Sequence, residues 1–158
     1  MTTVRVSALP ADHLDRIRDR GVDDFANTLV VTVNSDAGGT PLRCCLTEAA
    51  VGDEVALLAW RPSAIPGAYA EVGPVFIHAQ PCLGPAGTGY PDGFRHRQQL
   101  LRAYDGRGRV VGNEIVEGAA AEGALQTLLA RPDVAYVHSR NPLAGCYMFR
   151  VDSHTSGT

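Results

Sequence analysis

Apolar Leu14 and Ile17 sit in a stretch that opens with Asp12 and Asp15 and closes with Arg16, Arg18 and Arg20. This pattern predicts an amphipathic helix over residues 11–20. The acid-first, base-last order suits the helix dipole, and Gly21 stands where a C-terminal cap belongs. Residues 29–33 read as a strand that runs into the turn-rich segment 34–39. Residues 55–61 and 75–78 predict two further strands, and the prolines of segment 61–67 between them exclude helix and strand. Residues 83–93 form a long Gly/Pro loop, of a length found in lids and binding segments. Segments 98–104 and 109–116 flank Asp105-Gly106-Arg107-Gly108, a hairpin signal. A second helix is expected over 119–130, with Leu125, Leu128 and Leu129 inward. A final hairpin joins 134–140 to 146–151. The order predicts one α+β domain over residues 1–151, with a mainly antiparallel sheet, hairpins and two main helices packed on it. Residues 152–158 read as a loose tail.

Composition sharpens this in two places. The chain has 158 residues, 45% of them hydrophobic, which suits one globular domain. All 14 basic side chains are arginine, and there is no lysine. That excludes lysine Schiff-base chemistry, covalent pyridoxal phosphate, the P-loop lysine and Ser–Lys dyads. The net charge of −3, with no basic block, argues against nucleic acid as a partner. No apolar run approaches the ~18 residues of a membrane span, and Met1 to Pro10 does not resemble a signal peptide. The expected setting is cytoplasmic, with no membrane partner.

The sequence contains no Gly-x-Ser-x-Gly elbow, no His-Glu-x-x-His helix and no Cys-x-x-Cys pair, only the adjacent Cys44-Cys45. Candidate chemistry therefore comes from alternation along the strands. Side chains two apart share a face, which puts Tyr136, His138 and Arg140 on one side, Arg102 with Tyr104, and Phe76 with His78. If these strands are neighbours, one face gathers two imidazoles, guanidiniums and a phenol, where a purely structural face would carry Val, Leu or Ile.

Taken together, Arg43, Cys45-Leu46, Arg61-Pro62, Tyr69 through Pro74, His78 with Cys82, Leu101 through Asp105, Val134 through Arg140 and Cys146-Tyr147 resemble the bacterial domain of unknown function 1203 family. The resemblance spans about residues 29–150. The family pattern often carries a further Cys near two of these sites, where this chain has Pro41-Leu42 and Met148-Phe149, and it has a His where this chain has Cys44. The resemblance implies a fold and a residue set rather than a reaction.

Cys45, His78, Cys82, His138 and Cys146 are soft-ligand types. However, cytoplasmic cysteines are often small buried hydrophobes, and the usual tetrahedral spacing is missing. No metal and no cofactor are therefore assigned. The expected function is a small-molecule enzyme using general acid–base chemistry on an anionic metabolite, by proton abstraction or amine–carbonyl condensation, in secondary metabolism. Glu71 is the expected proton-transfer group, with His78 or His138 as the second. The bland reading of Glu71 is that it accepts loop amides or pairs with Arg43 or Arg61. Arg43, Arg61, Arg102 and Arg140 are expected to hold the substrate anion, and Tyr69 and Tyr104 to shape the pocket. Arg16, Arg18, Arg20, Arg107 and Arg109 are assigned to solvent. The alternative is a non-catalytic ligand-binding or zinc-stabilised interaction module. Exposed hairpin edges are compatible with a homodimer.

Overall fold

In a computed structural model of the chain, which describes residues 3–154, ten strands form two sheets rather than the single sheet expected. The strands are β1 (Thr3–Ser7), β2 (Val30–Val33), β3 (Pro41–Leu42), β4 (Thr47–Glu48), β5 (Glu54–Trp60), β6 (Gly73–His78), β7 (Gln99–Tyr104), β8 (Val110–Val116), β9 (Tyr136–Arg140) and β10 (Tyr147–His154). The helices are α1 (Ala11–Arg20) and α2 (Gly118–Leu129), and a short 3-10 helix covers Asp92–Phe94. The first sheet has the order β1-β10-β9-β7-β8 and is antiparallel throughout. The second has the order β2-β5-β6-β3-β4, and among the described residues its only parallel pairing is β3 with β6, at Leu42 and Phe76. The architecture is α+β, with one helix serving each sheet's core.

Helix α1 forms as its pattern dictates. Leu14 and Ile17 are fully buried, and Gly21 takes a φ of +69° so that its N–H caps the Ile17 carbonyl. These residues join Leu42, Val55, Leu58, Val75 and Ile77 in the core of the second sheet. Helix α2 buries Ala121 and Leu125 against Leu101, Val137, Phe149 and Val151 of the first sheet. Strand β2 is the edge of its sheet and leaves Val30, Val31 and Val33 exposed.

The structure differs from the expected boundaries at both ends of the chain. Strand β10 continues past Val151 to His154, because Ser153 and His154 pair with Val4 and Thr3 of β1. The remaining residues of the expected tail, 155–158, lie outside the described residues. Arg18, assigned to solvent, is instead largely buried. Its Nε donates to the His78 carbonyl at 3.0 Å while Asp15 holds Nη1, so it docks α1 on the end of β6.

Two features position the chemistry. The connection from β5 to β6, residues 61–72, is a long hairpin loop closed by the Trp60–Gly73 pair. It reaches over the first sheet, where Ser63 Oγ meets the Tyr136 hydroxyl at 3.3 Å. The second feature is the turn between β3 and β4. Leu46 sits there at φ +59°, a costly conformation for a branched side chain. It is held by its N–H to the Leu42 carbonyl and by burial in the first sheet's core. This turn sends Arg43 toward one end of β6 and Cys44 and Cys45 toward the other.

Candidate functional site

The sheet face foreseen from alternation forms in part. Strands β7 and β9 are neighbours, with Arg102 opposite His138 and Tyr104 opposite Tyr136. Tyr104 and Tyr136 stack at 5.0 Å, and the His138 ring lies 4.8 to 5.2 Å from Tyr104, Tyr136 and Tyr147. His138 is 1% exposed, and neither ring nitrogen has a hydrogen-bond partner among the described residues. Burial drives it down to about 4; Arg150 and Arg102 push the same way and Asp152 opposes them. It is a neutral imidazole in an aromatic box, closed to a substrate. Tyr104 is buried in the same box, and burial raises its phenol. Both were expected to face a ligand, and both are instead enclosed by their neighbours.

Glu71 does meet its expected partners. Its Oε1 accepts a hydrogen bond from Arg140 Nη2, and Arg102 Nη1 stands 3.9 Å from the same oxygen. The other oxygen, Oε2, has no partner among the described residues. The Glu71 side chain is 45% exposed while that of Arg140 is 5% exposed, so the carboxylate faces outward over a buried cation. Arg140 also donates to the Gly145 carbonyl at 2.9 Å, and burial lowers its guanidinium. A cavity of about 220 Å³ opens here, lined by Trp60, Glu71, Pro74, Arg140, Cys146 and Tyr147 among others. A larger depression of about 630 Å³ lies beside β2 and β5. Its one carboxylate, Asp23, is already occupied by the amides of Phe25, Asn27 and Ala59 and the side chain of Asn27, so it offers little chemistry.

Arg43, expected to hold the substrate anion, is placed by the structure between the two sheets with its donors turned to protein acceptors. It is 2% exposed, and its Nε, Nη1 and Nη2 donate to the Tyr147 carbonyl, the Pro41 carbonyl and Cys146 Sγ. Burial lowers its guanidinium, and the nearby Cys146 opposes this. The group braces one sheet against the other from behind the cavity. Cys146, which the sequence suggested only as a soft ligand, is thereby part of the cavity wall. Arg61 is exposed and donates to the Ser63 carbonyl at 3.1 Å, and Tyr69 lies exposed on the same loop. Neither lines the cavity.

His78 stands apart from Glu71. It ends β6 while Glu71 precedes its start, and strand geometry places some ~17 Å between Gly73 and His78. His78 belongs instead to a second cluster. Its Nδ1 lies 3.7 Å from Cys44 Sγ and 3.8 Å from Cys45 Sγ, and its Nε2 lies 3.5 Å from Asp53 Oδ2. One ligand atom from each of Cys44, Cys45, His78 and Cys82 falls within 4.8 Å of the others. The four cysteines are all free. Hydrogen bonding from Cys44 draws Cys45 down to about 5 and holds Cys44 well above its ordinary value. Three of its members, Cys45, His78 and Cys82, were among the soft-ligand types in the sequence; Cys44 was not, because the parallel β3–β6 contact that aligns it with His78 has no local signal.

A family model described as "Protein of unknown function (DUF1203)" matches residues 39–153, a span that contains both clusters. Neither the curated proteins nor the solved structures contain a match to this chain.

Proposed function

The chain belongs to the DUF1203 family, and from its cavity we propose an enzyme that abstracts a proton from a small anionic metabolite. One observation carries this reading. Arg140 lines the cavity beside its single carboxylate, Glu71; Arg102 approaches that carboxylate from outside the lining, and Arg43 lies buried behind the Cys146 wall. The local excess of positive charge favours an anion at the mouth. Arg102, half-exposed and at long range from Glu71, retains donors for a substrate carboxylate or phosphate.

Oε2 of Glu71 has no partner among the described residues and is the proton acceptor. Glu71 accordingly serves as the base. The imidazoles take no part, since one is enclosed and the other belongs to the far end of β6. An amine–carbonyl cyclisation that begins with such a deprotonation fits the same groups. Among the described residues no helix is long and apolar enough to cross a membrane. Four unpaired thiols suit a reducing cytoplasm.

The test uses a panel of small oxo acids and phosphate esters in deuterated solvent, followed by NMR. The wild-type protein should exchange a carbon-bound proton in at least one member, and Glu71→Gln should not. Equal exchange by the two proteins would defeat the proposal. Phosphate binding without exchange in any member would leave the non-catalytic ligand-binding reading in its place.

A further inference from the structure

We propose that Cys44, Cys45, His78 and Cys82 bind one zinc ion, with Asp53 orienting the imidazole. The argument starts from distances. In a tetrahedral site with bonds of ~2.0–2.3 Å, ligand atoms lie roughly 3.4–3.8 Å apart. His78 Nδ1 is 3.7 and 3.8 Å from the two adjacent sulfurs, and the whole set spans no more than 4.8 Å. Small rotations about the Cys82 and Cys45 side chains would close the tetrahedron. Three thiols and one imidazole form a ligand set characteristic of structural zinc.

The surroundings supply independent support. A zinc-binding histidine ordinarily gives its second nitrogen to a carboxylate, which fixes the tautomer. Here His78 presents Nδ1 to the sulfurs and Nε2 to Asp53 Oδ2 at 3.5 Å. Asp53 is itself held by the Ala50 N–H at 2.9 Å. The Cys44 sulfur accepts the His78 backbone N–H at 3.3 Å, and Cys45 Sγ lies 3.1 Å from Thr47 Oγ1. Such contacts stabilise metal-bound thiolates. Three thiolates on a divalent ion leave one net negative charge, and Arg18 places a guanidinium at the His78 carbonyl.

Packing alone does not account for the cluster. Cys44 is buried in the core of the second sheet, but Cys45 and Cys82 are only half-buried. Nothing in the apolar packing requires their sulfurs to converge. With four protein ligands the ion has no open position, so its role is structural. It would join the β3–β4 turn, the end of β6 and the beginning of the loop over residues 83–93.

The experiment measures metal in the full chain, purified with a reductant and without added zinc, and then titrates cobalt into the stripped protein. We expect close to one zinc per chain, and a one-to-one cobalt complex with thiolate-to-metal charge-transfer absorption. Cys82→Ser should lower affinity at least a hundredfold and weaken that absorption. Asp53→Asn keeps all four ligands and should cost ten- to a hundredfold in affinity. Circular dichroism confirms that both variants fold. Wild-type protein that holds no stoichiometric zinc and gives no thiolate–cobalt absorption overturns the proposal. So do variants that bind cobalt with unchanged affinity and spectrum. No substrate is present in either measurement, so the outcome is independent of the anion cavity.

Discussion

Arg43 Nη2 lies 3.1 Å from Cys146 Sγ, and through this contact and the Tyr147 carbonyl a buried cation joins the two sheets. A guanidinium satisfies acceptors in three directions; a lysine ammonium is a point charge on a flexible stem. Arg43→Lys should therefore lower stability by about 2–4 kcal/mol. Cys146→Ala, which leaves Nη2 without its acceptor, should cost about 1–3 kcal/mol, and Cys146→Ser should recover most of that. Urea denaturation reads all three. A neutral Arg43→Lys would show that the residue does not brace the fold.

Removing the carboxylate at position 71 leaves Arg140 buried beside an uncharged partner. The Glu71 side chain is half in solvent, so screening reduces the loss, and Glu71→Gln should cost about 1–2 kcal/mol. The same change raises the positive charge of the cavity. Inorganic phosphate should therefore bind the variant several-fold more tightly than the wild type by calorimetry. Weaker binding would mean that the anion does not sit among these arginines.

Arg102 separates binding from folding. It is partly exposed and makes one long contact to Glu71 and one 3.3 Å hydrogen bond to Asn113. Arg102→Met should change stability by no more than about 0.5 kcal/mol while weakening phosphate binding about tenfold, the equivalent of roughly 1.4 kcal/mol.

His138 predicts a pH dependence. Its folded value of about 4 lies below its ordinary 6.5, so between these limits the unfolded chain takes up a proton that the folded chain refuses. Its contribution is fully present above pH 6.5 and is lost as pH falls toward 4, up to about 3 kcal/mol. His138→Phe fills the aromatic box and removes this dependence. Denaturation curves collected from pH 7 to 4 should show the wild type losing stability relative to the variant, by up to about 3 kcal/mol at the acid end. A constant difference between the two proteins would contradict the assignment.

Removing zinc from the proposed site at Cys44, Cys45, His78 and Cys82 should loosen the segment that Cys82 begins. Limited subtilisin digestion is expected to cut within residues 83–93 faster after chelation, and re-added zinc should restore resistance. Cleavage at the same rate in both states would show that the ion does not anchor this loop.

Residues whose partners are near in sequence were legible. Helix α1 follows from Leu14, Ile17 and Gly21, and the β7–β8 hairpin from its Asp-Gly turn. The shared face of Arg102, Tyr104 and His138 followed from alternation once β7 and β9 proved to be neighbours. Strand β1 was missed although Val4 and Val6 alternate with Thr3, Arg5 and Ser7, because five residues carry a weak signal and their order comes from pairing with β10, nearly 150 residues away. The division into two sheets was hidden for the same reason, and this is why His78 was grouped with His138. Two-residue strands such as β3 and β4 have no periodicity to read. The Cys44–His78 approach depends on one parallel contact that no motif announces. Enclosure is likewise a tertiary property. Nothing local distinguishes Arg43, locked between sheets, from Arg102, half in water.

Strand β6 lies between β5 and β3, with the Glu71–Arg140 cavity at its first residues and the cysteine cluster at its last. A strand paired on both sides neither stretches nor slips by a fraction of a residue, so it acts as a fixed spacer between the two centres. Free-energy changes from substitutions at one centre should then simply add to those at the other, and each centre could be altered by selection or by engineering without retuning its neighbour.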